Sequence, residues 1–307
     1  MNVVLPFAAL VMAVAVPLRA GPDTTVSVYV SMKLRLLELE ALIGPNSQVP
    51  GPTSHVPTPT SQLSTPQTQV PGSSFQGPRD IAFPSWNRTW PVRTIRRASL
   101  PTWILPLGRI FARVTVTGLE HLDGVEGPVV FAANHQSHFD TPVILDSLPP
   151  RWRYRVATAM SREFFDAHFF PGRFSTRQWF TNSLNYYLAA FFFNAFPLTQ
   201  GGAGTRQTLR YMGELVTAGF SILIYPEGRR AAEGEIGRFL PGVGMIGSRL
   251  GVPVVPVRVS SLDKILGPHA YFPTRGRAQC AFGAPISLTG NDYAALASRV
   301  EEGVRAL

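Results

Sequence analysis

The chain has 307 residues, 45% of them hydrophobic, which is enough for one large domain or two small ones around a sizeable core. Charged residues make up only 15%, low for a freely soluble protein, and the net charge is +9, carried far more by Arg than by Lys. That field favours anionic partners: nucleic acid, acidic lipid headgroups or phosphorylated substrates. Many Phe residues lie beside Arg, a mixture that suits a membrane surface at least as well as a nucleic acid. Cys280 is the one cysteine, so an internal disulfide and a thiolate metal cluster are both excluded. It falls in the strand-like run "QCAFG" and reads as packing rather than as a nucleophile.

Residues 1–44 open with about 18 apolar positions that no Lys or Arg precedes. Three readings stand side by side here: a membrane anchor, a cleaved signal, or the remnant of an upstream domain. Residues 24–43 begin with strand-like alternation and end with leucines at helical spacing, stopped by Gly44-Pro45. Between Pro45 and Pro78 there are eight prolines and eleven Ser or Thr, and no charged residue until Arg79. Such a segment buries too little apolar surface to offset its ordering entropy, so 45–80 is expected to be a disordered linker. The folded domain is expected over residues 81–307.

That domain starts with "WPVRTIRRASLPTWILPLGRIFARV", where Arg93, Arg96, Arg97, Arg109 and Arg113 mix with Trp90, Trp103, Ile104, Leu105, Ile110 and Phe111. The mixture suits either the interface of an anionic bilayer or an amphipathic helix packed on the domain. Strands are expected at 113–119, 127–134, 154–160, 196–199, 221–226, 252–260 and 277–286. Helices are expected at 176–195, 203–218, 241–250 and 291–307. The 127–134 run is nearly all apolar and is expected at the centre of the sheet. Nearly continuous apolar strands separated by helices indicate an α/β fold with a mixed, mostly parallel central sheet flanked by helices. The apolar stretch 179–198 carries Asn182, Asn185 and Asn194. That amide load argues for a buried or interfacial helix over a bilayer-spanning one.

"FAANHQSHFDTP", residues 131–142, places His135 directly after the central strand, where α/β sheets bind ligands. Histidine is suited to taking a proton near neutrality, and a carboxylate on its other nitrogen fixes the tautomer. Asp140 is five residues on, which turns the two side chains by roughly 140° on a straight helix. They can meet across a strand-to-helix turn, so His135 is expected in the turn and Asp140 in the first helical turn. His135, His138 and Asp140 could instead ligate a metal, yet His55, His121, His168 and His269 are scattered without paired spacing. Ser137 lacks the nucleophile-elbow pattern, and a capping role is expected of it.

A second strand end, "ILIYPEGRR" at 222–230, carries Glu227, Gly228, Arg229 and Arg230. Gly permits a tight turn, and Arg can grip a phosphate with two hydrogen bonds; a charged surface turn is the plainer reading. "GVGMIG" at 242–247 matches Gly-x-Gly-x-x-Gly but follows no strand and has no acidic residue about 20 positions on, so it is not read as a dinucleotide site.

Together these stretches resemble the glycerolipid acyltransferase family, whose best-known members are 1-acyl-glycerol-3-phosphate acyltransferases. "NHQSHFD" resembles its Asn-His-x-Ser-x-x-Asp block and "YPEGRR" its Phe-Pro-Glu-Gly-Thr-Arg block. "FPLTQ" lies where its second block falls, and "VPVVPV" resembles its fourth. The resemblance runs from about residue 113 to 260. It implies a glycerol-3-phosphate acyltransferase-like fold, with His135 as general base and Asp140 as its orienting partner. Asn134, Ser137, Gln200, Glu227, Gly228, Arg229 and Arg230 would serve substrate binding, with Glu227, Gly228 and Arg230 helping to hold the acceptor's phosphate. The donor it implies is acyl-CoA or acyl carrier protein, and the acceptor a lysophospholipid such as 1-acyl-glycerol-3-phosphate. It implies no cofactor, no metal and no nucleic-acid partner. The setting would be phospholipid biosynthesis on an anionic membrane surface, at the cytoplasmic face of the cell membrane. Three departures, Gln200 for Arg, Arg229 for Thr and Leu240 for Lys, alter the phosphate clamp and point towards an acceptor with a larger headgroup.

Overall fold

The computed structural model describes residues 82–199, 203–228, 235–267, 270 and 272–307. The expectations for the N-terminal segment and the linker lie outside these residues, as do Gln200, Arg229 and Arg230. Seven strands among them form one sheet: β1 (Ala112–Thr117), β2 (Val130–Ala133), β3 (Val156–Ser161), β4 (Phe196–Leu198), β5 (Ser221–Ile224), β6 (Val254–Ser260) and β7 (Gly276–Phe282). Their order is β1-β7-β6-β2-β5-β3-β4, and every pairing is parallel except β6 with β7. The expected mixed, mostly parallel α/β sheet is what forms.

Burial on both faces explains the unbroken apolar runs. Along β2, Phe131 and Ala133 join one core, while Val130 and Ala132 join the core on the other face. β6 repeats the pattern, with Val255, Val257 and Val259 on one side and Val254 on the other. The helices follow in chain order. α1 (Trp90–Ser99) and α2 (Leu105–Phe111) precede β1. α3 (Asp140–Ser147) and α4 (Pro150–Arg153) follow β2. α5 (Asp166–Phe169) and α6 (Thr176–Phe193) lie between β3 and β4. α7 (Ala203–Thr217), α8 (Gly242–Leu250) and α9 (Tyr293–Arg305) complete the set. A π-helical turn, Leu100–Ile104, joins α1 to α2. Pro101 and Pro106 withhold two amide donors around it, which favours the wider turn.

The basic stretch before β1 divides its residues between two tasks. Trp90, Ile95, Trp103 and Ile110 stay exposed. Arg96 turns inward and is only 5% exposed. It donates to the carbonyls of Asn87 (2.8 Å), Ala190 (3.1 Å) and Phe191. The last two carbonyls end α6, so Arg96 is a cationic cap on a helix C-terminus. Burial lowers its pKa to about 10. Cys280 is fully buried, and burial raises its thiol to about 12.

α6 is fixed at both ends. Ser175 and Gln178 form a capping box at its start, and Asn194 ends it in the left-handed conformation at φ +51°. Its amides also have local work. Asn182 accepts from the His168 amide (2.9 Å) and donates to the Phe164 carbonyl (2.9 Å). No helix among the described residues is long and apolar enough to cross a membrane.

Candidate active site

β2 lies between β5 and β6 and parallel to both, so the turns leaving β2 and β5 emerge at the same edge of the sheet. His135 is in the turn after β2, and Asp140 is the first residue of α3. The imidazole Nδ1–H donates to Asp140 Oδ2 at 2.7 Å. The same oxygen accepts the backbone N–H of Gln136 (2.7 Å) and of Ser137 (2.9 Å). The turn therefore wraps around a fully buried carboxylate. An oxygen surrounded by three N–H donors is poorly arranged to bind a metal cation.

With Nδ1 committed, Nε2 carries the lone pair, and it makes no hydrogen bond among the described residues. The His135 side chain is 24% exposed, so it can meet an incoming group. Its ring stacks on Tyr225 with centroids 4.3 Å apart and an interplanar angle of 26°. The Tyr225 hydroxyl pairs with Thr141 Oγ1 at 2.8 Å. Burial, reinforced by the Asp140 charge, raises the Tyr225 phenol well above its ordinary pKa, so it stays neutral.

The strand register brings Glu227 to this turn. Ala132 pairs with Ile224, and carrying that offset three residues on sets His135 opposite Glu227. The His135 backbone N–H donates to Glu227 Oε1 at 2.9 Å. The Gly237 N–H donates to Oε2, also at 2.9 Å. A Cβ at Gly237 would come within 2.7 Å of Oε2, so a larger residue there would push the carboxylate off its present position. Burial is the main cause that raises the Glu227 pKa. Gly228, at φ +70°, turns the chain beyond it and donates to the Tyr225 carbonyl at 3.2 Å.

Asn134 and Ser137 serve as braces. The fully buried Asn134 side chain donates to the Val259 carbonyl (2.9 Å) and accepts from the Val259 N–H (2.8 Å), extending the β2–β6 ladder. Ser137 Oγ donates to the Leu266 carbonyl (2.7 Å) and accepts from the Phe139 N–H (3.2 Å). Tyr225 and Gly237 were absent from the sequence-derived set. An aromatic residue closing a strand was the one available signal for Tyr225. Nothing local marks Gly237, because its constraint comes from a side chain ten residues away.

Residues 113–260 match the family model described as Acyltransferase. The chain is 28% identical over 157 residues to 1-acyl-sn-glycerol-3-phosphate acyltransferase BAT2, chloroplastic, of Brassica napus, a match covering 51% of this chain and 40% of that protein. It is 26% identical over 157 residues to 1-acyl-sn-glycerol-3-phosphate acyltransferase LPAT1, chloroplastic, of Arabidopsis thaliana, covering 51% of this chain and 38% of that protein. The matches thus span well under half the length of these relatives. Among solved structures, the chain is similar to the crystal structure of the 1-acyl-sn-glycerophosphate (LPA) acyltransferase PlsC from Thermotoga maritima. The TM-score there is 0.46 at 21% identity, covering 69% of this chain and 83% of that one.

Proposed function

We propose, from an Acyltransferase-family domain over residues 113–260, that this chain transfers a fatty acyl group from a thioester to the free hydroxyl of a lysophospholipid. The single observation that carries this reading is the 2.7 Å bond from His135 Nδ1 to Asp140 Oδ2, which leaves Nε2 as a base at the sheet edge. Nε2 takes the proton of the acceptor hydroxyl, and the oxygen attacks the thioester carbonyl carbon. The tetrahedral adduct collapses, the C–S bond breaks, and the leaving thiolate takes the proton from the imidazolium. The products are an ester and a free thiol. Asp140 stabilises the transient imidazolium. No covalent enzyme intermediate is required, because the thioester is already activated.

The donor is acyl-CoA or acyl carrier protein. The acceptor is 1-acyl-glycerol-3-phosphate or a lysophospholipid with a larger headgroup, and the product enters phospholipid biosynthesis. The Glu227 carboxylate is engaged by two backbone amides, so holding the acceptor's phosphate falls to Arg229 and Arg230 with Gln200. The Arg-dominated charge of +9 supports association with an anionic membrane, which we assign to the cytoplasmic face of the cell membrane.

The test incubates purified protein with labelled acyl-CoA and 1-acyl-glycerol-3-phosphate. Labelled diacyl product is expected, and His135→Ala should lower the rate by about 10²–10⁴-fold. Free fatty acid as the sole product would replace this reading with an esterase. Full activity in His135→Ala would exclude the mechanism.

A further inference from the structure

The connection between β3 and β4 presents a surface that the chemistry above does not use. Every residue from Pro171 to Phe180 is exposed. The run includes Phe174 (39%), Trp179 (40%) and Phe180 (61%), together with Arg173 and Arg177. Tyr187, 50% exposed, lies two helical turns beyond Phe180 on the same side of α6. No acidic residue occurs in the sequence between Asp166 and Glu214. These aromatics do not belong to a loose end. The capping box holds the start of α6 and Arg96 caps its last carbonyls. In the middle, the His168 ring stacks on Tyr186 at 4.3 Å. A fixed helix that holds large aromatic side chains in water forgoes their burial and calls for a partner.

The surface also reaches the catalytic turn. The exposed Phe164 ring lies 6.2 Å from the ring of His138, three residues after His135. From residue 167 to 213 the arginines lie beside Phe and Trp with no carboxylate in the sequence, while Glu163 and Asp166, which flank Phe164, both pair with Arg162. The arrangement matches a layer that is apolar below and carries phosphodiesters above.

We propose that the face formed by Phe164, Arg173, Phe174, Arg177, Trp179 and Phe180 docks on a bilayer containing anionic phospholipid and sets the His135 turn at its edge. This deepens the membrane association assigned above and rests on it for the identity of the partner. It does not rest on the acyl transfer.

Cosedimentation of the full chain with vesicles tests it. One set is phosphatidylcholine alone, and the other is equal parts phosphatidylcholine and phosphatidylglycerol. The wild type should bind the mixed vesicles and prefer them to the neutral ones. The double variant Trp179→Ser/Phe180→Ser should lose affinity about ten-fold or more, the worth of partial burial of two aromatic side chains. Arg173→Gln/Arg177→Gln should lose the preference for phosphatidylglycerol. All four side chains are exposed, and an unchanged thermal midpoint confirms that the variants fold. Unchanged vesicle binding in the Trp179/Phe180 variant overturns the proposal. So does a wild-type dimer, detected by light scattering, that the same variant dissolves without any change in vesicle binding. Transfer to a short-chain, water-soluble acceptor should be equal in wild type and the double variant. Absence of transfer in both would remove the reaction and leave the docking result standing.

Discussion

Asp140 binds the Nδ1–H of His135 through the same oxygen that gathers the Gln136 and Ser137 amides, so one atom both orients the imidazole and shapes its turn. Folding has placed this anion before any substrate arrives, and little reorganisation is left for the reaction itself.

Asp140→Asn separates the two tasks. An amide oxygen can still accept the His135 proton, but it brings no negative charge to steady an imidazolium. Turnover should fall roughly 10²–10⁴-fold. Stability should fall by about 1–3 kcal/mol, because three N–H groups lose a charged acceptor. Steady-state kinetics and urea denaturation read the two effects separately. A variant with native turnover would show that the carboxylate charge is dispensable.

Glu227→Gln tests the brace from β5. Glutamine offers one acceptor oxygen where the His135 and Gly237 amides now use two. The turn should shift, and turnover should drop by about 10–100-fold while substrate affinity changes less. The pH dependence of stability adds a second readout. Burial raises the native Glu227 carboxyl above its ordinary pKa, so the native state holds this proton longer than the unfolded chain does. Its contribution is most favourable below an unfolded value of about 4.3 and is lost as pH rises through the native value. That component of the stability profile should vanish in Glu227→Gln.

His168 gives a titration of the opposite sign. Burial against α6 lowers its pKa below the ordinary value. The unfolded chain therefore takes up the proton first. Stability from neutral His168 is present above an unfolded value of about 6.5 and is lost as pH falls through the native value. Thermal midpoints should decline across that window in the wild type and decline less in His168→Gln. Identical profiles would refute the assignment.

The sequence revealed most clearly what short stretches encode. An apolar run followed by His, and an Asp just inside the next helix, were enough to place the dyad across a turn. The Ser175 start and the Asn194 end of α6 fell within two residues of expectation. Contacts that depend on strand order were out of reach. Asn134 can pair with Val259 only because β6 lies beside β2, and Glu227 reaches His135 only through the β2–β5 register. The resemblance offered both for substrate binding; in the fold both bond backbone groups, contacts that one dimension does not display. Arg96 shows the same limit: an arginine on an amphipathic stretch gives no sign that the far end of another helix needs a cation.

The order of the strands has one more consequence. The connection carrying α5 and α6 hangs from β3 and β4, the outermost pair on one side, and β5 separates that pair from β2. Insertions or recolouring there would leave every ladder bond beside His135 in place. The connection that carries the proposed docking face can therefore be altered without disturbing the strands that hold the His135 turn.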